Sequence, residues 1–210
     1  MSKKAKNLIS LLLNLFIVID MVYCISTFFT KGGQGNMAVA SWRAFRYFTI
    51  DSNVLCALSC AAAAYFNIRG LKAGELILPS WAVVFKFAGT VAVTVTFLVV
   101  MLFLGPTQGY GIMMEGVNAY MHLYNALAAL LGFLVFEKGF PFPKSRFHLG
   151  NLSVIIYGTL YLIMVLILKL WPDFYGFNTV IKWWISYPGM IIFGYGLSFL
   201  IWRLYTAKKS

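Results

Sequence analysis

WAVVFKFAGTVAVTVTFLVVMLFL, residues 81–104, carries one charged side chain, Lys86, in an otherwise apolar or hydroxyl-bearing run. A hydrocarbon core of ~30 Å is crossed by a helix of ~20 mainly apolar residues, and a soluble helix of this length would need a polar face that this stretch lacks. Five more windows of the same kind flank it, roughly 8–29, 45–66, 117–136, 152–171 and 183–205. Lipid offers no partner for backbone N–H and C=O groups, and no ~10-residue alternation of the barrel type occurs, so the windows must be helices. The expected fold is all-α, a polytopic membrane protein in which residues 1–210 form a single transmembrane domain of six helices.

Composition agrees. The 210 residues are 61% hydrophobic, 18% aromatic and only 11% charged, which leaves too little polar surface for a soluble globule. Tryptophans mark the window ends, where an amphipathic ring suits the headgroup level. Trp42 precedes the second window, Trp81 opens the third, Trp171 closes the fifth, Trp183 and Trp184 open the sixth, and Trp202 lies near its end.

The net charge of +11 belongs to loops rather than to a nucleic-acid face. With the N-terminus inside, eleven of the seventeen basic residues are cytoplasmic: Lys3, Lys4, Lys6, Arg69, Lys72, Lys138, Lys144, Arg146, Arg203, Lys208 and Lys209. Lys31, Arg43, Arg46, Lys169 and Lys182 fall outside, and Lys86 lies within a helix. Both termini are therefore expected in the cytoplasm, with a multi-pass integral location, the cell membrane for a bacterial protein. A basic start and Ala38-Val39-Ala40 resemble a signal peptide, but the first apolar run is too long for one and ends well before that site. Cys24, Cys56 and Cys60 all fall inside windows and are expected to pack rather than to form disulfides. No internal repeat stands out. The Gly-rich connection 105–116 is expected to fold back over the helix ends, and the basic connection 137–150 to lie at the interface as a tether.

Function is sought where polar groups sit at lipid depth, since a charge at a helix centre costs ~2.5–3.5 kcal/mol on insertion scales. Those groups are Asp20, Thr49, Asp51, Asn53, Lys86, His122 and Asn125. In the second window, Thr49, Ser52, Asn53, Cys56, Cys60 and Ala63 follow helical steps and form one small or polar stripe that faces protein; helix packing alone is a sufficient reason for such a stripe. Asn118, His122 and Asn125 share a face of the fourth window. Thr49 and His122 both lie about 6 to 9 Å below the outer boundary, so they can meet. A hydroxyl nucleophile needs a base within hydrogen-bond reach, and a buried neutral imidazole is a suitable one, although a lone buried histidine is more often simply a hydrogen-bonded interior residue.

Two segments, Arg46-Tyr47-Phe48-Thr49-Ile50-Asp51-Ser52-Asn53 and Tyr120-Met121-His122-Leu123-Tyr124, resemble the signature regions of the androgen-induced family of membrane proteins and its bacterial relatives. In that family an aromatic-Phe-Thr-x-x-x-Asn stretch opens one helix and a Leu-or-Met-His segment opens a later one. Leu170-Trp171-Pro172-Asp173-Phe174-Tyr175-Gly176-Phe177 faintly echoes its Tyr-Pro-aromatic segment. The resemblance implies an intramembrane hydrolase of lipid esters, typified by fatty acid esters of hydroxy fatty acids, with Thr49 as nucleophile and His122 as base. Membrane lipids or fatty acyl esters are then the substrates, with no cofactor and no nucleic-acid partner. Relatives often carry a proline soon after the histidine, whereas this chain continues Tyr124-Asn125-Ala126-Leu127, so the fourth helix is expected to run straight.

Other chemistries find less support. His122 and His148 are the only histidines and are expected at opposite faces, which excludes a shared His-rich metal site. No nucleophile elbow or phosphate-binding glycine loop occurs. Asp51 is expected to orient His122 or hold Arg46, and Lys86 either to reach Asp20 or, the favoured outcome, to snorkel to the cytoplasmic headgroups. The competing function is a non-catalytic transporter, channel or lipid-binding scaffold, which polar groups spread over several depths would favour.

Overall fold

The computed structural model describes residues 1–30 and 41–207. Lys31, Ala38-Val39-Ala40, Lys208 and Lys209 lie outside the described residues. Six helices are long and apolar enough to span a membrane: α1 Lys3–Thr30, α2 Phe48–Ala73, α3 Ser80–Gln108, α4 Val117–Phe136, α5 Lys144–Ile167 and α6 Trp183–Thr206. There is no strand among the described residues. The chain is a multi-pass α-helical integral membrane protein.

The ends of the spans depart from the apolar windows where polar residues extend a helix into the headgroup region. α1 begins at Lys3 and α2 continues through Arg69 and Lys72, since water beyond the hydrocarbon solvates these side chains. α5 starts at Lys144 with tight 3₁₀ turns through Asn151, a polar stretch that hydropathy passes over. It stops at Ile167, because Lys169 adopts a positive φ of 54° and the N–H groups of Leu170 and Trp171 turn back onto the Met164 carbonyl.

α3 is the central helix. It packs against α2 and α4 on one side and α5 and α6 on the other, while α1 closes a four-helix group by contacting α2 and α4. Its small and β-branched residues let neighbours approach closely, as membrane helices require when lipid itself is apolar. Gly89 shows how closely: a Cβ there would sit 2.8 Å from the Cys56 Cα of α2. The connection after α4 is not a loose tether. Phe142 is buried against Phe87 and Tyr205, and the Tyr205 hydroxyl donates to the Glu137 carbonyl at 3.0 Å. Trp202, one turn from the end of α6, is buried beside Phe147 and Phe199.

Candidate active site

Tyr47 enters α2 in an extended conformation, which sets Phe48 and Thr49 in the first turn of a helix whose polar stripe faces inward. Thr49, Ser52, Asn53, Cys56, Cys60 and Ala63 are all buried. From α4, His122 reaches the same place. Its backbone lies in a widened π-turn, Tyr120–Tyr124, instead of the straight helix expected. Such turns shift the register of side chains on either side of them and recur at functional sites.

The Thr49 Oγ1 lies 3.4 Å from His122 Nε2, and His122 Nδ1 lies 2.6 Å from the Met113 carbonyl. A carbonyl can only accept, so Nδ1 bears the proton and, in the neutral ring, Nε2 presents its lone pair to the Thr49 hydroxyl. The gap to Thr49 is long for a hydrogen bond but within what a resting catalytic pair shows. Met113 belongs to the 105–116 connection, which continues α3 to Gln108, reverses at Gly109 with φ 99°, and forms a helical turn from Tyr110 to Met113. Asn118 Nδ2 pins it by donating to the Ile112 carbonyl at 3.1 Å. The connection thus roofs the histidine and fixes its tautomer.

Asn53 ties the two motif segments together. Its amide donates to the Thr49 carbonyl at 2.8 Å and to the Met121 carbonyl, next to His122, at 3.0 Å. Asn125 donates to Asn53 Oδ1 at 2.9 Å and to Asp20 of α1 at 2.8 Å. Asp20, Asn53 and Asn125 therefore form one hydrogen-bonded chain, two amides and a carboxyl, beneath the pair. Asp51 does not join it. Among the described residues its carboxyl has no hydrogen-bond or ion-pair partner, and it lines a groove between α2, α3 and α5 with Phe48, Leu55, Phe85 and Tyr157. The Arg46 backbone carbonyl accepts from the Tyr157 hydroxyl, at 2.6 Å.

Thr49 also borders a narrow, almost wholly apolar cleft between α2, α3, α5 and α6, with a cavity volume of about 60 Å³. Val95, Val99, Leu104, Val154 and Met190 form much of its wall, and Tyr157, Tyr161 and Tyr175 close it near Thr49. Phe48 and Tyr157, with ring centroids 5.1 Å apart, border both this cleft and the Asp51 groove and so separate the two. Tyr175 arrives on the 168–182 connection, which Asp173 organises. Its carboxylate accepts from the Tyr161 hydroxyl and from the N–H groups of Phe177, Asn178 and Thr179 at 2.7 to 3.0 Å. Partial burial pushes the Asp173 carboxyl up, but the Asn178 N–H, the Tyr161 hydroxyl and Thr179 outweigh it and hold it below the usual carboxylate range.

Lys86 neither reaches Asp20 nor snorkels. It is fully buried, with Nζ donating to Asn14 Oδ1 and, at 2.8 Å, to Cys60 Sγ. Asn14 in turn donates to Glu137 at 2.7 Å, which also accepts from Ser10 at 2.9 Å, while Asn67 bridges Asn7 and Ser10. Cys60 is thus a polar partner and not merely a small packing residue. This second polar group lies toward the end of the bundle that carries the termini. Ile17, Cys56, Val93, Ala126 and Ala129 form an apolar layer between it and the Asp20–Asn125–Asn53 chain.

Among the described residues, no group of three or more His, Cys, Asp or Glu side chains is placed to hold a metal ion. No protein-family description, curated protein or solved structure matches the chain.

Proposed function

We propose that this protein hydrolyses lipid esters within the membrane, of the fatty acid ester of hydroxy fatty acid type, using Thr49 as nucleophile and His122 as general base. The observation that carries this is the position of the Thr49 hydroxyl, between a ring nitrogen fixed as an acceptor and a narrow apolar cleft. Nε2 takes the hydroxyl proton as Oγ1 bonds to the ester carbonyl carbon. The tetrahedral adduct then expels the alcohol, which leaves with the proton from Nε2. Water, deprotonated by the same nitrogen, attacks the acyl-threonine and releases the fatty acid and the free hydroxyl. A slender cleft suits one alkyl chain and excludes bulkier groups.

The basic end of the bundle, with Lys3, Arg69, Lys138 and both termini, then faces the cytoplasm, and the pair lies near the outer face, in a bacterium at the cell membrane. The transport or channel reading draws its support from the Lys86 group at a second depth. Against it stands the cluster of Ile17, Val93, Ala126 and Ala129, which packs between the two polar groups.

The deciding experiment follows fatty acid release from a branched fatty ester by the purified protein in liposomes. Thr49→Ala and His122→Ala should each abolish it, the double variant should be little worse than either single one, and a fluorophosphonate should label Thr49 in the wild type. Turnover by folded Thr49→Ala at the wild-type rate would remove the nucleophile, and no release across a broad ester panel would return the weight to transport or a scaffold.

A further inference from the structure

The cleft beside Thr49, with its cavity of about 60 Å³, falls far below the ~300–1,000 Å³ of ordinary ligand sites, so it must open before a fatty acyl chain can enter. One wall is built to do so. Leu162 of α5 and Tyr187 of α6 border the cleft on one side and, on the other, a second groove of about 620 Å³ that lies between these two helices. Ile163, Ile167 and Trp184 line this groove and are exposed on the flank of the bundle. The groove therefore opens sideways toward lipid, at the end of the bundle that carries Thr49.

Tyr187 stands between groove and cleft. The Thr159 hydroxyl donates to the Ile155 carbonyl at 2.8 Å, so the 2.6 Å contact between the two hydroxyls is a bond from Tyr187 to Thr159. The Tyr187 ring closes onto Gly158, where a Cβ would lie 2.9 Å from its Cε2, a contact that any larger residue would push open. The next residue is Pro188, which has no N–H to bond the Trp184 carbonyl, and at Gly189 an added Cβ would meet nothing within 4 Å. α6 is thus weakest in the turn that carries Tyr187, a place where helices bend. At the mouth of the groove stands Lys182, beside Asn178 and Trp183. Its ammonium has no hydrogen-bond or ion-pair partner among the described residues, and at headgroup level it suits an anion.

We propose that this groove is the entry site for the lipid ester, with Tyr187 as its gate and Lys182 as the residue that selects esters carrying a free carboxylate. The assignment rests on the Thr49–His122 hydrolase proposed above. Substrate in the leaflet on that side docks its carboxylate at Lys182. Tyr187 swings away from Gly158 as α6 bends at Pro188, and the acyl chain passes between α5 and α6 to reach Thr49.

A reversible lock tests the route in full-length protein in liposomes. Thr159→Cys and Tyr187→Cys are combined and bridged by a short bis-methanethiosulfonate, which a reductant removes. Bridging should slow turnover of the acid-bearing branched ester on the order of tenfold or more relative to the same protein untreated, and reductant should restore the rate and so report an intact fold. The matching ether, which binds without being hydrolysed, should associate more slowly by a similar factor, a readout that needs no chemistry. Undiminished turnover, or unchanged association of the ether, would overturn the gate. Lys182→Met should raise KM for the same ester about tenfold with kcat near wild type, as loss of one charge-assisted contact requires, and methylation of the substrate carboxyl should remove the difference. Equal losses for acid and methyl ester would overturn the selecting role of Lys182. Turnover that needs Thr49 but ignores the lock would remove the entry route alone, whereas turnover indifferent to Thr49 would remove the hydrolase with it.

Discussion

Asn53 ties Thr49 to His122, because one amide bonds the Thr49 carbonyl and the Met121 carbonyl beside His122. Its side-chain oxygen takes the Asn125 proton, so every hydrogen bond of the amide holds α2 to α4 or stiffens the turn that carries Thr49. Asn53→Leu keeps the volume but leaves the Met121 carbonyl and one Asn125 proton without partners. It should lower stability by roughly 1–3 kcal/mol, the usual penalty for a buried polar group left unpaired. Turnover should fall further than the loss of folded protein explains, because a hydroxyl and base already 3.4 Å apart have no slack. Thermal unfolding in detergent and ester turnover at a temperature where the variant remains folded separate the two effects; unchanged turnover would free Asn53 from a positioning role.

At the scale of elements, α3 carries the architecture and one costly group. Its Lys86 joins α1 through Asn14 and α2 through Cys60, and Asn14 passes the contact on to Glu137 at the end of α4. Glu137 Oε2 has no hydrogen-bond partner among the described residues, and Asn14 is what joins Glu137 to the Lys86 ammonium. Removing one member of such a buried pair strands the other charge. Lys86→Ala should destabilise the bundle by about 3–5 kcal/mol, and adding Glu137→Gln should restore part of the loss. Unfolding of the two single variants and the double variant in denaturant measures the coupling. Strict additivity would mean that the two groups act independently, each as ordinary polar glue between helices.

For the whole molecule, the proposed orientation rests on the charge asymmetry, and an apolar layer lies between the polar groups at the two ends. The basic end gathers Lys3, Arg69 and Lys138 and holds the Lys86–Glu137 group, while the opposite end holds the roofed Thr49–His122 pair. Cysteines introduced as Arg69→Cys and Lys138→Cys should be labelled only from the cytoplasm, and Gly109→Cys only from outside, by a membrane-impermeant maleimide. Labelling of Gly109→Cys from the cytoplasm alone would invert the arrangement and put hydrolysis at the inner leaflet.

The six spans were legible in the sequence because the need to satisfy backbone groups in lipid is local: ~20 apolar residues in a row have one outcome. The Thr49–His122 pair was legible for a related reason, since helical spacing fixes which face a residue shares and counting turns fixes its depth. What a side chain touches across the bundle is not local. Lys86 read as a snorkelling residue until Asn14 and Cys60, on two other helices, supplied acceptors at its own depth. Asp51, beside the motif in sequence, lies in the groove toward Tyr157 rather than with His122, because successive helical residues point ~100° apart and Asn53, two positions on, takes the face toward α4. Tyr175 and Asp173 lie in a connection that hydropathy passes over, and only the packing of α5 and the return of that connection bring the Tyr175 hydroxyl to the first turn of α2. Periodicity carries the position of a residue along and around its own helix; the partner opposite is chosen by how distant helices pack, and that information is spread over the whole chain.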